Sequence, residues 1–227
     1  MQGLTTQEVA RALGTTRQHA AALLKARKLQ GEQLTDGRWI ADTRSLNEYT
    51  QLRRGVGRNW SAESSWALLA ELDGIKVIGI SARTRARIRE RIRLTSAEEI
   101  SRKVATRSST FRFSSDDRLA TARELILTGR SATDRLDTGL AQQSQIVEGY
   151  LCDADLEAFA QRHLLIPDAN GDVVIHDGRG VLELYGGSIG QAVIAADLAR
   201  STATREHSAG VAALEEAKSR WLAKHIR

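Results

Sequence analysis

Apolar residues recur at helical spacing in two short stretches near the amino end of the chain, residues 8–13 and 17–28. In the first stretch Val9 and Leu13 are four residues apart, and the second stretch repeats such intervals around Leu23. Residues three or four positions apart lie on one face of an α-helix. The pattern therefore predicts two short helices, each with one buried face.

The residues at the ends of these stretches favour the same interpretation. Thr5 and Glu8 have the spacing of a capping box, in which a hydroxyl and a carboxylate each accept an amide hydrogen. Gly14 predicts the end of the first helix, because glycine tolerates the left-handed conformation found there. Thr15 or Thr16 is then expected to cap the second helix.

A strand-like pattern follows the second helix, with Asp36-Gly37 between its two halves and Trp39-Ile40 on the returning half. An Asp-Gly pair between strand-like residues predicts a two-residue hairpin turn. We expect Trp39 to pack its ring against the helices. A third helix is predicted over residues 43–53. Two helices, a hairpin and a covering helix form a winged helix-turn-helix, an arrangement typical of DNA-binding proteins.

The first turn of the second helix is polar, and this is where a recognition helix meets base edges. Arginine can bind guanine O6 and N7 with two hydrogen bonds, and glutamine can bind adenine in the same way. Lysines further along the helix fit phosphate contacts, and an arginine at the hairpin tip fits a minor groove or the backbone. The candidate DNA-binding residues of this module are Thr16, Arg17, Gln18, His19, Lys25, Lys28 and Arg38.

The rest of the chain mixes helical and strand-like patterns and predicts an α+β fold that is mostly helical. Strands are predicted over residues 110–113, 146–151 and 172–176. Helices are predicted over residues 61–72, 96–107, 116–127, 153–163, 188–200 and 207–224. The predicted domains are a winged helix-turn-helix over 1–54, a basic helical region over 55–113 that is a possible second winged-helix unit, and an acidic α/β partner-binding region over 114–227.

The charge changes sign along the chain. Residues 1–60 carry ten Lys and Arg against five Asp and Glu, and residues 61–113 carry eleven against six. Residues 114–227 carry twelve against seventeen. The basic half suits polyanionic DNA, and the acidic half suits a basic protein surface. The alternative interpretation is that both halves are simply solvated.

Arginines occupy alternate positions over residues 83–93. On a helix this spacing wraps around the axis, while Ile88 and Ile92 form a narrow apolar seam. Clustered arginines bind phosphate with paired donors, so a phosphate-contacting surface is favoured over a merely solvated helix. The further candidate DNA-binding residues are Arg83, Arg85, Arg87 and Arg89.

Catalytic and metal-binding patterns are missing from the sequence. The five histidines show no ligand spacing, and the single cysteine, Cys152, can form no internal disulfide. Asp153 and Asp155 are interpreted as helix caps rather than magnesium ligands. We therefore predict no enzyme activity, cofactor or metal. With no apolar run of roughly 20 residues and no visible signal peptide, the protein is expected to be cytoplasmic and not membrane-bound.

Residues 4–52 resemble the excisionase/MerR-type winged helix-turn-helix. The resemblance lies in the string from Leu4 to Gly14, in Thr16-Arg17-Gln18, in Gly37-Arg38-Trp39 and in Leu46-Asn47-Glu48-Tyr49. It implies that the recognition helix and the wing bind DNA through Thr16, Arg17, Gln18, His19 and Arg38.

The whole chain more weakly resembles actinobacterial AbiEi-like antitoxins, which are encoded beside nucleotidyltransferase toxins. The motifs include Trp66-Ala67-Leu68-Leu69, Phe111-Arg112-Phe113, Glu148-Gly149-Tyr150-Leu151 and Asn170-Gly171-Asp172-Val173. The resemblance implies a DNA-binding antitoxin that represses its own operon and restrains a toxin through its C-terminal half. Expected partners are double-stranded DNA, this toxin and a possible second copy of the chain. The alternatives are a protein-interaction module that does not bind DNA and an excisionase-like accessory factor.

Overall fold

The computed structural model describes residues 3–26, 28–53, 59–77, 79–140, 145–152 and 155–225. Its fold is α+β, with 55% helix and 14% strand, which confirms the predicted mostly helical class. Two bodies of structure follow each other along the chain: an N-terminal module over residues 3–53 and a second module over residues 59–225.

The N-terminal module encloses a small core between its helices and one sheet. Strand β3 lies in the centre of this antiparallel sheet, whose order is β1-β3-β2. Val9, Leu24, Leu29, Ala41 and Leu46 are buried in the core. The elements are β1 (Gly3–Thr5), α1 (Thr6–Leu13), α2 (Arg17–Lys25), β2 (Gly31–Gln33), β3 (Trp39–Asp42) and α3 (Thr43–Arg53).

Helix α2 begins where predicted but ends earlier. The prediction extended it to residue 28, whereas the structure ends it at Lys25. The amides of Lys28 and Leu29 both donate to the carbonyl of Leu23, at 2.9 and 3.3 Å. This turn brings Leu29 into the core, so burial of one apolar side chain overrides continuation of the helix.

The second module is built on a five-stranded sheet of order β5-β6-β8-β4-β7, in which β6 and β8 are parallel and the other neighbours antiparallel. Its strands are β4 (Thr110–Ser114), β5 (Ile126–Leu127), β6 (Val147–Leu151), β7 (Ile166–Pro167) and β8 (Val173–Asp177). Its helices are α4 (Ala62–Leu72), α5 (Ala82–Leu94), α6 (Ala97–Val104), α7 (Arg118–Arg123), α8 (Leu156–Arg162), α9 (Arg179–Tyr185), α10 (Gln191–Leu198) and α11 (Thr204–His225), with a 3₁₀ segment at Gly129–Arg135. Among the described residues, no helix combines the length and apolar character needed to cross a membrane.

The larger of two hydrophobic clusters described in the second module joins helices from both sides of the predicted boundary between residues 113 and 114. Trp66 and Ile92 pack in one cluster with Ile194, Leu214 and Trp221. Helix α10 lies at the centre, with residues 192–198 all buried. The predicted boundary itself falls inside strand β4. Because the middle region shares its core with the C-terminal helices, the predicted divisions 55–113 and 114–227 are corrected to one body.

The predicted helix over residues 116–127 is wrong in its second half. Helix α7 ends at Arg123, and Ile126 and Leu127 form a short strand instead. Ile126 pairs with Tyr150, and Leu127 pairs with Gly149. Backbone pairing with the buried strand β6 overrides the helical pattern, which is a local signal only.

Helices α10 and α11 approach so closely at Gly210 that no side chain fits there. A Cβ at this position would lie 2.3 Å from the backbone nitrogen of Ala199 and 2.8 Å from the carbonyl oxygen of Ala195. Gly210→Ala is therefore expected to destabilise the protein by about 1–3 kcal/mol in urea unfolding, because overpacking forces the helices apart. Ser208→Ala, at an exposed position of the same helix, is the control and should change stability by less than about 0.5 kcal/mol. Stabilisation by Gly210→Ala, as helix propensity alone predicts, would contradict the close packing.

Candidate nucleic-acid interface

The start of α2 presents a polar turn to solvent. Thr16 caps the helix, its hydroxyl accepting the amide hydrogen of His19 at 3.2 Å, which decides between the two threonines predicted. Gly14 ends the preceding helix in the left-handed conformation, with φ of 60°. Arg17, Gln18 and His19 follow the cap and are all exposed. The predicted polar turn is therefore formed and accessible.

The apolar face of α2 holds this turn in its orientation. Ala20, Leu23 and Leu24 are buried against the module core. Lys25, in the last turn, and Lys28, beyond the helix end, are exposed. At a rise of about 1.5 Å per residue, Lys25 lies some two turns along the axis from the first polar turn. The two lysines thus have the exposure and the separation from the first turn that phosphate contacts would require.

The hairpin between β2 and β3 has a three-residue loop, Thr35-Asp36-Gly37, and not the predicted two-residue turn. The amide of Leu34 donates to the carbonyl oxygen of Arg38 at 2.7 Å. The amide of Gly37 donates to the carbonyl oxygen of Leu34 at 2.9 Å. Gly37 has φ of 82°, whereas Asp36 is not among the residues of positive φ. A two-residue type I′ turn needs positive φ at both positions, so the longer loop is adopted.

Arg38 lies at the tip of this hairpin and is held by Asp36. Its Nε is 2.6 Å from Asp36 Oδ2, and its amide donates to Asp36 Oδ1 at 3.0 Å. The amide of Arg38, and then its guanidinium, lower the pKa of Asp36 below its ordinary value. Both side chains are exposed, so the ion pair contributes little and phosphate can compete with Asp36 for the guanidinium.

The arginine-rich helix α5 differs from the prediction in its partners. Arg85 donates to the carbonyl oxygen of Val77 at 3.0 Å, and Arg89 Nε is 2.7 Å from the Glu71 carboxylate. The acid that pairs Arg89 comes from helix α4, outside the arginine run. Two of the four candidate residues on α5 are therefore engaged within the protein.

Of the four candidate residues on α5, Arg83 and Arg87 are exposed. Further along, the guanidinium of Arg91 lies over the ring of Trp60, 5.0 Å from its centroid. Burial, and then the charge of Arg87, lower the pKa of Arg91. This helix therefore uses part of its charge for packing, and of the four candidate residues Arg83 and Arg87 keep the exposure expected of phosphate ligands.

A cleft of about 750 Å³ separates the N-terminal module from the second module. His19 and Lys28 line one wall, and Arg112, Arg179 and Arg200 line the other. Arg17 and Gln18 are not part of its lining. The sequence patterns had no signal for this interdomain cleft, because its lining residues are scattered between His19 and Arg200 in the sequence.

Asp155, which the sequence offered as a helix cap rather than a magnesium ligand, is a cap in the structure. Asp155 caps α8, its Oδ1 accepting the amide hydrogen of Glu157 at 2.8 Å. Asp153, the predicted cap, lies outside the described residues. In the part of the chain that the structure describes, no group of three or more His, Cys, Asp or Glu side chains is placed to hold a metal ion.

Three comparisons with known proteins found no similar protein. A scan against protein-family models finds no match for this chain, and searches of curated proteins and of solved structures return no significant match. Function is therefore inferred from the residues and their geometry.

Proposed function

We propose that this protein is a DNA-binding transcriptional regulator that reads duplex DNA with helix α2. The observation that carries the proposal is the exposed turn Arg17-Gln18-His19, which Thr16 caps and a packed core orients. An α-helix fits the major groove, where every base pair shows a distinct pattern of donors and acceptors. Arg17 and Gln18 are the two side chains whose chemistry suits guanine and adenine edges.

The hairpin and the lysines supply the sequence-independent part of the proposed binding. Strand β3 joins the hairpin to the same sheet that supports α1, so the tip residue Arg38 and helix α2 belong to one compact module. Exposed Lys25, Lys28 and Arg38 are suited to phosphate contacts. A single small module buries limited DNA surface, so the proposal includes binding as a dimer to two half-sites.

The proposed biological setting is an antitoxin that represses its own operon and neutralises a nucleotidyltransferase toxin. Its support is the sequence resemblance together with the acidic balance of residues 114–227. An adjacent gene for a nucleotidyltransferase, and rescue of cells from its toxicity by this chain, are the results expected. Toxicity unchanged by this chain would remove the setting while leaving the DNA-binding proposal in place.

The test of DNA reading is a fluorescence-anisotropy titration with promoter DNA and with random DNA at several salt concentrations. We expect preference for the promoter, with affinity falling linearly in log–log form as salt releases counterions. The double variant Arg17→Ala, Gln18→Ala should erase that preference, since each lost bidentate contact costs about 1–3 kcal/mol of discrimination.

The matched control is Gln7→Ala, Arg11→Ala, which removes the same residue types from exposed positions of α1. This control should retain the ratio of promoter to random affinity even if it weakens both. Equal binding of promoter and random DNA by the unmodified protein would contradict the proposal. It would favour the alternative, a protein-interaction module that does not read DNA.

A further inference from the structure

A small pocket of about 60 Å³ opens beside the interdomain cleft, entirely within the second module. Thr110, Arg112 and Arg200 line both the pocket and the cleft, so the two spaces adjoin. We call it the floor pocket; its chemically important residues are Thr110, Arg112, Arg130, Glu148, His176 and Arg200. They come from β4, β6, β8, the 3₁₀ segment and the residues after α10.

A chain of hydrogen bonds fixes the polar side chains of the floor pocket. Arg200 Nη2 donates to Thr110 Oγ1 at 2.8 Å, and Thr110 Oγ1 lies 3.0 Å from His176 Nδ1. His176 Nε2 lies 3.0 Å from Glu148 Oε1. The guanidinium donates to Thr110, and the Thr110 hydroxyl, the His176 imidazole and the Glu148 carboxylate follow one another within hydrogen-bond distance. These side chains are therefore preorganised.

Arg200 has one buried donor that no described residue satisfies. Its Nη1 is buried and lacks a hydrogen-bond partner among the described residues. The nearest carboxylate oxygen, Asp197 Oδ1, is 3.7 Å away, which is too long for a hydrogen bond. A buried donor without a partner is costly, and a bound oxygen acceptor would satisfy it.

Guanidinium groups outnumber carboxylates among the side chains that line the floor pocket. Arg112, Arg130 and Arg200 line it against two carboxylates, Glu148 and Asp197. Outside the lining, Asp197 also binds Arg107 and Arg130 also binds Glu206, at 2.6 and 2.8 Å, and Arg112 helps to lower the pKa of Asp168. A pocket with excess guanidinium groups and an unsatisfied N–H favours an anion with several acceptor oxygens.

We infer that the floor pocket binds the oxyanion group, phosphate or carboxylate, of a small soluble effector. Its volume holds one such group, and the adjoining cleft of about 750 Å³ has the size typical of small-molecule sites between domains. A phosphodiester of duplex DNA is a poor fit, because sugars continue the chain on both sides of its phosphate. The effector would lie against His19 and Lys28 of the DNA-binding module, across the cleft.

The test is isothermal titration calorimetry of the full chain with sodium phosphate and with sodium acetate, each at matched pH and ionic strength against sodium chloride. We expect saturable binding of one phosphate or one acetate per chain; which of the two binds identifies the oxyanion. At ten times the dissociation constant, the anion should raise the thermal midpoint by about 3–6 °C.

Arg200→Gln should weaken this binding at least about tenfold, because it removes the charge and the orphan donor. Arg112→Gln is the second variant, for the case that Arg200→Gln fails to fold, and should weaken binding in the same direction. Arg205→Gln, which removes the same charge from an exposed position of α11, should bind like the unmodified chain.

Saturation by neither anion would overturn the inference, as would equal weakening by Arg205→Gln and the two pocket variants. Displacement of the bound anion by random duplex DNA would also overturn it, and would assign the pocket to the nucleic-acid interface. None of these results depends on promoter recognition, so the failure of this inference and that of the proposed function are distinguishable.

Discussion

Replacing Arg107 with methionine is expected to destabilise the protein by about 3–5 kcal/mol, because it leaves the carboxylate of Asp197 buried without its main partner. Both side chains are fully buried, and Arg107 Nη2 is 2.6 Å from Asp197 Oδ1. The same nitrogen donates to the hydroxyl of Tyr150 at 2.8 Å. A loss of this size is a large share of the roughly 5–15 kcal/mol that keeps a domain folded.

The charges of this buried pair depend on each other. Burial by itself lowers the pKa of Arg107, but the charge of Asp197 and the hydrogen bonds to Asp197 and Tyr150 raise it above the ordinary value. Burial by itself raises the pKa of Asp197, and Arg107, with smaller contributions from His176 and Arg200, brings it below the ordinary value. Both groups therefore stay ionised while paired. Removing one partner exposes the other to the full cost of burial.

Urea unfolding of the single and double variants separates the pair from the packing around it. Arg107→Met and Asp197→Leu should each cost several kcal/mol, while the double variant should be more stable than the sum of the two losses predicts. Arg102→Met is the control, since its ion pair with Glu98 is partly exposed; this change should cost less than about 1 kcal/mol. Additive losses in the double variant would contradict the coupling.

In the N-terminal module, most of the secondary structure could be predicted from local sequence patterns. Its helices, its caps and its third helix follow from signals within a few residues of each other, such as the capping box, in which the Thr5 amide donates to Glu8 Oε2 at 2.7 Å. The loop of the hairpin was predicted one residue too short, because an Asp-Gly pair fits two turn types and only the backbone dihedral at Asp36 distinguishes them.

The second module shows why the rest was not predictable. Arg107 and Asp197 are 90 positions apart, and no local sequence pattern around either residue predicts that they pair. Helix α9 was not predicted, because its seven residues contain Gly180 and glycine is typical of helix ends and turns. In the structure this glycine lets the helix approach the Trp66 indole: a Cβ at position 180 would lie 2.2 Å from the indole nitrogen. The arginines of α5 were assigned to phosphate because the acid that pairs Arg89 lies on another helix.

The floor pocket could be predicted even less. Five separate elements contribute its polar residues, and in the sequence each of these residues is an unremarkable member of a strand, a 3₁₀ turn or a helix end. Thr110 and His176 are brought together by antiparallel pairing of β4 with β8, and Glu148 joins them through the parallel pairing of β6 with β8. Sheet topology, and not residue spacing, therefore creates this chemistry.

Lowering the pH from 7 toward 4 is expected to remove a cost that Asp73 imposes on the fold. Asp73 follows α4 and reaches the first turn of α10, where its Oδ1 accepts the amide hydrogen of Ala192 at 2.8 Å. Burial raises its pKa from 3.8 to about 6, and this outweighs the hydrogen bonds from Ala192 and Tyr185, which lower it. Between these two pKa values the folded chain holds a proton that the unfolded chain has lost.

The sign of the effect follows from that difference in bound protons. Stability falls as pH rises wherever the folded state binds more protons, so this group costs nothing below about pH 4 and its full penalty above about pH 6. Two pKa units correspond to roughly 3 kcal/mol. Asp73→Asn keeps the acceptor for the Ala192 amide without the charge. It should therefore raise the free energy of unfolding at pH 7 by up to about that amount and flatten the profile between pH 4 and 6.

Urea unfolding of the unmodified chain and of Asp73→Asn across pH 4–7 measures this contribution as the difference between two curves, so that other titrating groups cancel. Asp116→Asn, at an exposed position, is the control and should follow the unmodified chain at every pH. If Asp73→Asn were instead less stable than the unmodified chain at pH 7, with the gap closing as pH falls, the amide of Ala192 would stabilise the carboxylate more than burial opposes it. Asp73 would then be an anionic cap that favours folding at neutral pH.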